Sequence, residues 1–531
     1  MRTFKGTPQR VLVLALLGVA LITCASASAQ SSAPVAPYTT KGAYTFVSAP
    51  NLHPPKLRTD VATQSNKLAP GYFMVANFKD VLDNQPLIGQ GGPLILDSHL
   101  QPVWFDPIPT SVVSENGLNV LTGASLNLRE QTYQGKPVLS WWEGSIANTG
   151  ATLSGKDVVV NQHYQQVATL TAPKPWVITE HEFLIQGSDA WVTAWRNVPM
   201  DLTPFGGPKN GVVIDGAAQE YDLKTGKLLY TWDALDHIPL ADSYAKPLAN
   251  GFWDAYHLNS IQPAGNGTLL VSMRTEWAAY LVNIGTGKIE WTLGNGTANS
   301  SFKFVPSSAQ FQWQHDVELH PGGVVSVFDD HCCNTIGPAE LAPPTGPSRA
   351  LVLKLNLAQH TATLVHQYTH GSHVDAGFLG NTDLLPDGNV AVGWGTAPYF
   401  SEFSASGELL LDAVWPTPDQ SYRAYLQNWV GTPFWLPSGA VRTVGGKTTV
   451  YASWDGATQV VGWRVLAGSG ANHLSLVATK TKAGFETAIR VTGSYKVFKV
   501  QAVDAGGHVI GTSIGFTKPK QASPPPPPGF Y

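Results

Sequence analysis

One hairpin plan recurs in this chain and constrains its fold more than anything else. In Gln312 to His331 a histidine, His315, opens a short alternating strand, Pro321-Gly322-Gly323 turns it, and Val324 to Phe328 returns as a β-branched strand. Two acidic residues, a histidine and two cysteines close the run: Asp329, Asp330, His331, Cys332 and Cys333. Upstream, Trp253 to Pro263 carries His257 at the matching place, followed by Gly265-Asn266-Gly267 and the strand Thr268 to Arg274. His257 and His315 therefore occupy one repeat position.

Asn381 to Trp394 has the same layout, and His181 to Arg196 fits it with a shorter turn. Outer hairpins with polar turns and a following aromatic residue recur at Thr225-Gly226-Lys227, Thr286-Gly287-Lys288 and Ser406-Gly407-Glu408. Earlier copies begin near Asp97-Ser98-His99 and Asn127. Six units of four strands predict an all-β fold, a six-bladed β-propeller over residues 67–440, whose first strands line a central channel. Such a fold brings His257 and His315 face to face at the channel mouth. The rival arrangement, a pair of β-sandwiches, scatters them.

Beyond 440 the spacing changes. Alternating strands at Val450–Trp454, Val460–Val465, Phe485–Ile489 and Phe498–Val503 predict a small fibronectin type III or immunoglobulin-like β-sandwich over 441–520. Residues 521–531 form a proline-rich tail, and 30–66 an extended leader. Arg2, Lys5 and Arg10, an apolar run from Val11 to Ile22 and Ala27-Ser28-Ala29 read as a signal peptide over 1–29, too short to span a bilayer. The expectation is an exported protein with no membrane span. Leu21-Ile22-Thr23-Cys24 resembles a lipoprotein box in which Thr23 fits poorly, so anchoring at Cys24 is the lesser reading.

A formal charge of −4, with 13% of residues charged, gives no reason to expect nucleic acid as a partner. Gly511-Thr512-Ser513-Ile514-Gly515 spells a nucleophile elbow but falls in a strand of the sandwich, so it is set aside. What remains is a converging set: His257 with Asp254 and Asn259, His315 with Asp316, His331 with Asp329 and Asp330, and Arg196 and Arg274. Neutral imidazoles serve as nucleophile or acid and base near pH 7, and a guanidinium fork matches an oxyanion. Asp329, Asp330 and His331 allow a metal-dependent hydrolase as an alternative, although no ligand spacing supports a metal there. Cys332 and Cys333 are either reduced or joined in a vicinal disulfide.

Several stretches carry a resemblance. Thr45 to Pro50 with Pro54-Pro55, Gly92 to Asp97, Val103-Trp104-Phe105, Gly287 to Trp291, Tyr422-Arg423 with Trp429, and above all Asp254 to Asn259 and Gln314-His315-Asp316 resemble the bacterial arylsulfotransferase family over most of 45–437. The resemblance implies an enzyme that moves a sulfuryl group from an aryl sulfate donor to a phenolic acceptor through a sulfated histidine, with no diffusible cofactor. It implies His257 and His315 as catalytic residues. Arg274, His331, Asn259, Trp253 and Trp313 follow as substrate-binding residues, the two tryptophans walling the ring. The chain departs from the family where Phe-Asp-Asn-Gly-x-Arg is usual: Phe328-Asp329-Asp330-His331-Cys332-Cys333 puts Cys333 in the arginine's place. A third family histidine is not matched, His370 and His373 being merely near the expected strand. These departures favour, as the rival from another class, a binding propeller of the cell envelope without turnover.

Overall fold

The structure, a computed structural model, describes residues 38–61, 63–79, 83, 85–115, 118–147, 150–294, 300–332 and 346–518. The signal-peptide reading at 1–29, Cys24, Cys333 and the 521–531 tail fall outside these residues. Among the described residues the protein is all-β, its helical content limited to four short 3-10 turns. Runs such as Val324–Asp329 and Ala278–Asn283 are rich in β-branched, small and aromatic residues and almost wholly buried, as befits strands covered on both faces. Gly322 and Gly323 both take φ of +77°, a left-handed turn that a side chain would strain.

Six sheets of four or five strands follow one another. Their leading hairpins are Tyr72–Lys79 with Gly92–Leu96, Leu118–Tyr133 with Lys136–Ala147, Val177–Gln186 with Asp189–Met200, Leu258–Gly265 with Thr268–Met273, His315–His320 with Val324–Asp329, and Asn381–Leu384 with Val390–Gly393. The first sheet is completed from far along the chain, because Tyr72–Lys79 also pairs with Asp419–Gln420 and Tyr425–Gln427. Arg58–Thr59, from the extended leader, adds an edge strand to the sixth sheet beside Leu409–Val414.

Side chains on or beside the leading strands stitch five of the six neighbouring pairs of sheets by holding the backbone of the next. Asn127 donates to His181 O, Gln262 accepts from Leu319 N, Asp316 accepts from Thr382 N, Asp383 accepts from Leu426 N, and Gln427 accepts from Glu130 N. The sixth sheet thus leads back to the first, and the first to the second. Apolar side chains fill the space between neighbours; Leu270, Leu281, Val317, Val325 and Leu351 form one such core. These inward-facing bonds place the first residues of several strands around a common centre, where the histidines lie.

Residues 438–512 form two further antiparallel sheets, of three and four strands, around Val441, Val450, Trp463, Val465, Ile489, Phe498 and Val500. Two of their strands, Ser438–Val444 and His473–Thr481, add to those expected from sequence, and the last, Val509–Thr512, contains Gly511 and Thr512.

Candidate active site

His257 precedes its strand with φ of 44°, and the backbone N–H of Arg274 donates to its carbonyl. The left-handed turn is held by Asp254, three residues earlier, which accepts from the His257 backbone N–H at 3.1 Å and meets its Nδ1 at 2.5 Å. His315 opens the next sheet. Its Nδ1 lies 2.7 Å from Asp330 Oδ2, across the hairpin, and its Nε2 accepts from Leu379 N at 3.3 Å. The two rings meet edge to face with centroids 6.2 Å apart. The convergence expected from the repeat is therefore present.

A third imidazole completes the group. His181, at the irregularity within the first strand of the third sheet's hairpin, has its ring 5.1 Å from that of His257 and its Nδ1 3.1 Å from Thr179 Oγ1. One nitrogen from each of His181, His257 and His315 lies within 4.8 Å of the other two. With each Nδ1 engaged elsewhere, Nε2 of His181 and of His257 is left for the group, while Nε2 of His315 also accepts from Leu379 N. The repeat contained the signal for His181, since it opens one of the four matching segments, but its short turn at Gly187-Ser188 set that segment apart.

The electrostatics favour neutral rings. Burial pushes His181 and His315 well below the ordinary histidine range, and Arg274, Arg423 and the neighbouring imidazoles add to the effect. Burial holds the Asp330 carboxyl well above its ordinary value against the pull of Arg274. Beneath the rings, buried Arg423 is gripped by Glu182 at 3.0 Å and Asp316 at 3.3 Å, and Glu182 also binds Arg129. Tyr422 sits above that guanidinium with its ring 5.9 Å from His181 and 6.4 Å from His315. Burial pushes its phenol well above the usual value, and its hydroxyl has no hydrogen-bond partner among the described residues.

Arg274, buried, spans the loops: its guanidinium donates to Gly377 O at 2.8 Å, lies 3.7 Å from Cys332 Sγ and stacks 4.9 Å over Trp313. It acts on both buried imidazoles through space. Cys332 is disulfide-bonded, so the reduced reading does not hold for it.

Other residues singled out from sequence fall elsewhere. Trp253 does not wall the rings; it pairs in register with Val213 and packs against Phe205 in the core between the third and fourth sheets. Trp195 occupies that position instead, 5.6 Å from His181 and 5.8 Å from His257. Asn259 is fully buried and donates to Gln314 O at 2.6 Å, so it positions the strand that carries His315. His331 is outside the three-ring group; its backbone N–H is held by Asp329 and Gln312 O. Asp329 is taken by Arg349, and Arg196 by Asp215 and Asp233. With Asp329 so engaged, Asp329, Asp330 and His331 do not assemble the hydrolase site considered above.

The arylsulfotransferase (ASST) family profile matches residues 129–415, which contain all three imidazoles and Arg274. The protein belongs to the arylsulfotransferase family. That membership points to small-molecule substrates, and among the described residues no helix is long and apolar enough to cross a membrane. No curated protein matches the chain. Among solved structures it is similar to a protein of unknown function from Bacteroides caccae, at 11% identity and a TM-score of 0.37 over 68% of this chain and all of that one. The Cps50 (Swd1) β-propeller domain of Myceliophteria thermophila gives 10% identity and 0.31, over 72% and 100%. The GH43 protein BlXynB of Bacillus licheniformis gives 9% and 0.31, over 76% and 91%. These likenesses are too loose to carry a functional argument.

Proposed function

We propose that this arylsulfotransferase relative is a six-bladed propeller with a fibronectin type III-like sandwich behind it, exported by its N-terminal apolar run. We further propose that it transfers a sulfuryl group from an aryl sulfate to a phenol by way of His257. The observation that carries the reading is the group of three imidazoles beside a buried arginine. His257 is the ring best suited to attack. Its side chain is 14% exposed whereas that of His315 is fully covered, and its Nδ1 is engaged by Asp254.

The chemistry balances in two halves. The His257 Nε2 lone pair attacks sulfur, the S–O bond breaks with its electron pair on the phenolate oxygen, and that oxygen takes a proton from water. An acceptor phenol then gives its proton to neutral His181, which passes it to the hydroxide left by the first half, and attacks sulfur, and the S–N electron pair returns to His257. Arg274 and the Tyr422 hydroxyl are the donors proposed for charge on the sulfuryl oxygens. Trp195 offers the aromatic wall.

The test mixes purified protein with 4-nitrophenyl sulfate, with and without a second phenol. Nitrophenol released in an acceptor-dependent manner, with ping-pong kinetics, is the expected outcome. Acceptor-independent release abolished by a chelator contradicts it and favours hydrolysis; no release from any aryl sulfate leaves the binding propeller.

A further inference from the structure

We infer that His181, His257 and His315 also form a binding site for a divalent transition metal such as Zn2+, with three imidazole ligands and a fourth position left open. Three features argue for it independently of the family. One nitrogen of each ring lies within 4.8 Å of the other two. Metal–nitrogen bonds of about 2.0–2.1 Å in tetrahedral geometry put ligand nitrogens about 3.3 Å apart, so side-chain rotations closing at most about 1.5 Å complete the site.

The outer contacts are those that histidine ligands use. Imidazole bound to a metal through Nε2 donates its other N–H to a carboxylate or another oxygen, which fixes the ring and makes the free nitrogen a better base. Asp254 does this for His257, Asp330 for His315 and Thr179 Oγ1 for His181. The Leu379 N–H that reaches His315 Nε2 at 3.3 Å is the contact a metal displaces, and it is a long one.

The charge balance is also favourable. Arg274 and Arg423 oppose a cation, but Glu182 and Asp316 are bonded to Arg423. Asp254 stands directly behind one ligand, and Glu180 Oε1 lies 3.9 Å from His181 Nε2. The rings come from three sheets, so the geometry depends on the assembled fold rather than on any one hairpin.

Metal on His257 Nε2 and a sulfuryl group on the same atom exclude each other. If the transfer reading holds, a bound metal switches the enzyme off; this part of the inference rests on that reading, and the binding does not.

The test strips the full protein with a chelator and titrates it with Co2+, then Zn2+, with no aryl sulfate present. One equivalent of Co2+ per chain is expected, with the visible bands of a four-coordinate nitrogen-rich site, displaced by Zn2+. His181→Gln is expected to weaken binding about 100-fold or more and Asp254→Asn about tenfold, with far-ultraviolet circular dichroism unchanged. Should His181→Gln fail to fold, Asp254→Asn, at a partly exposed position, carries the test alone. No bound metal at micromolar concentration, or affinity unchanged in the folded variants, overturns the inference. A parallel transfer assay separates the two ideas: nitrophenol release absent with and without chelator, while Co2+ still binds, removes the sulfuryl chemistry and keeps the metal site.

Discussion

The hairpin that follows His257 and the hairpin that opens at His315 are copies of one plan, yet they deliver their imidazoles into different surroundings. The His257 side chain is 14% exposed and leans on Asp254, a loop carboxylate itself 23% exposed. His315 and Asp330 are both fully covered. Below the rings the difference continues. Just past the strand irregularity the first hairpin has Ser260, whose hydroxyl accepts from the Val317 N–H, whereas the second has half-buried Glu318. The repeat supplies a common mount, and the connecting loops decide which ring reaches solvent and which is sealed. A shared repeat position therefore fixes where a side chain goes without fixing what it does.

The sharpest way to break this contrast is to remove each ring in turn. His257→Ala is expected to lower acceptor-dependent nitrophenol release by about 10⁴-fold, as loss of a nucleophile does, with the melting temperature little changed. His315→Gln is expected to cost about 10²-fold, because that ring shapes the field around the sulfuryl group rather than bonding to it. Equal losses, measured as kcat at saturating donor, contradict the division of labour between the hairpins.

Trp195→Ala and Trp253→Ala sharpen it further. Trp195 touches both His181 and His257, so its loss is expected to raise KM for aryl sulfate about tenfold. Trp253 is packed in the core, and its loss is expected to lower stability by about 3–5 kcal/mol in denaturant titration while KM stays within about twofold.

The smallest effect is on pH dependence. Glu318 is pushed up to about 8, chiefly by burial and then by Asp316. A carboxyl whose folded value is raised contributes stability below its unfolded value near 4.5 that is lost as the pH climbs towards 8. Glu318→Gln escapes that loss, so its melting temperature is expected to gain on the parent by a few degrees more at about pH 9 than at about pH 5. The equivalent change at Ser260, which carries no charge, is expected to leave the slope unaltered.

Much of this was legible in the sequence because it is local. A histidine, an alternating strand, a Pro-Gly or Asn-Gly turn and a β-branched return define a hairpin within about twenty residues, and the repetition of that text announces where the rings meet. The first sheet was harder to read, since Tyr72–Lys79, besides its local partner Gly92–Leu96, finds its other partners at 419–427, beyond the reach of any local pattern. Trp253 was misplaced for a related reason. Its neighbours in sequence lead to His257, but its backbone pairs back onto Val213 and turns the ring into the core. Asn259 looked like a substrate contact because its hydrogen-bond partner, Gln314 O, belongs to the next sheet. His181 was visible as a repeat element but lacked the longer Pro-Gly or Asn-Gly turn that marked the other two rings. Arg423 and Tyr422 gave no chemical signal of their own, since their meaning comes from Glu182 and Asp316 in two other sheets.

The central claim is tested most directly by looking for the sulfated imidazole itself. Protein mixed with excess 4-nitrophenyl sulfate and no acceptor, then quenched at alkaline pH, digested and read by mass spectrometry, is expected to carry one SO3 group on the peptide containing His257. Addition of phenol before the quench is expected to erase it. An active enzyme that carries no such group, or carries it on His181 or His315 instead, contradicts the account.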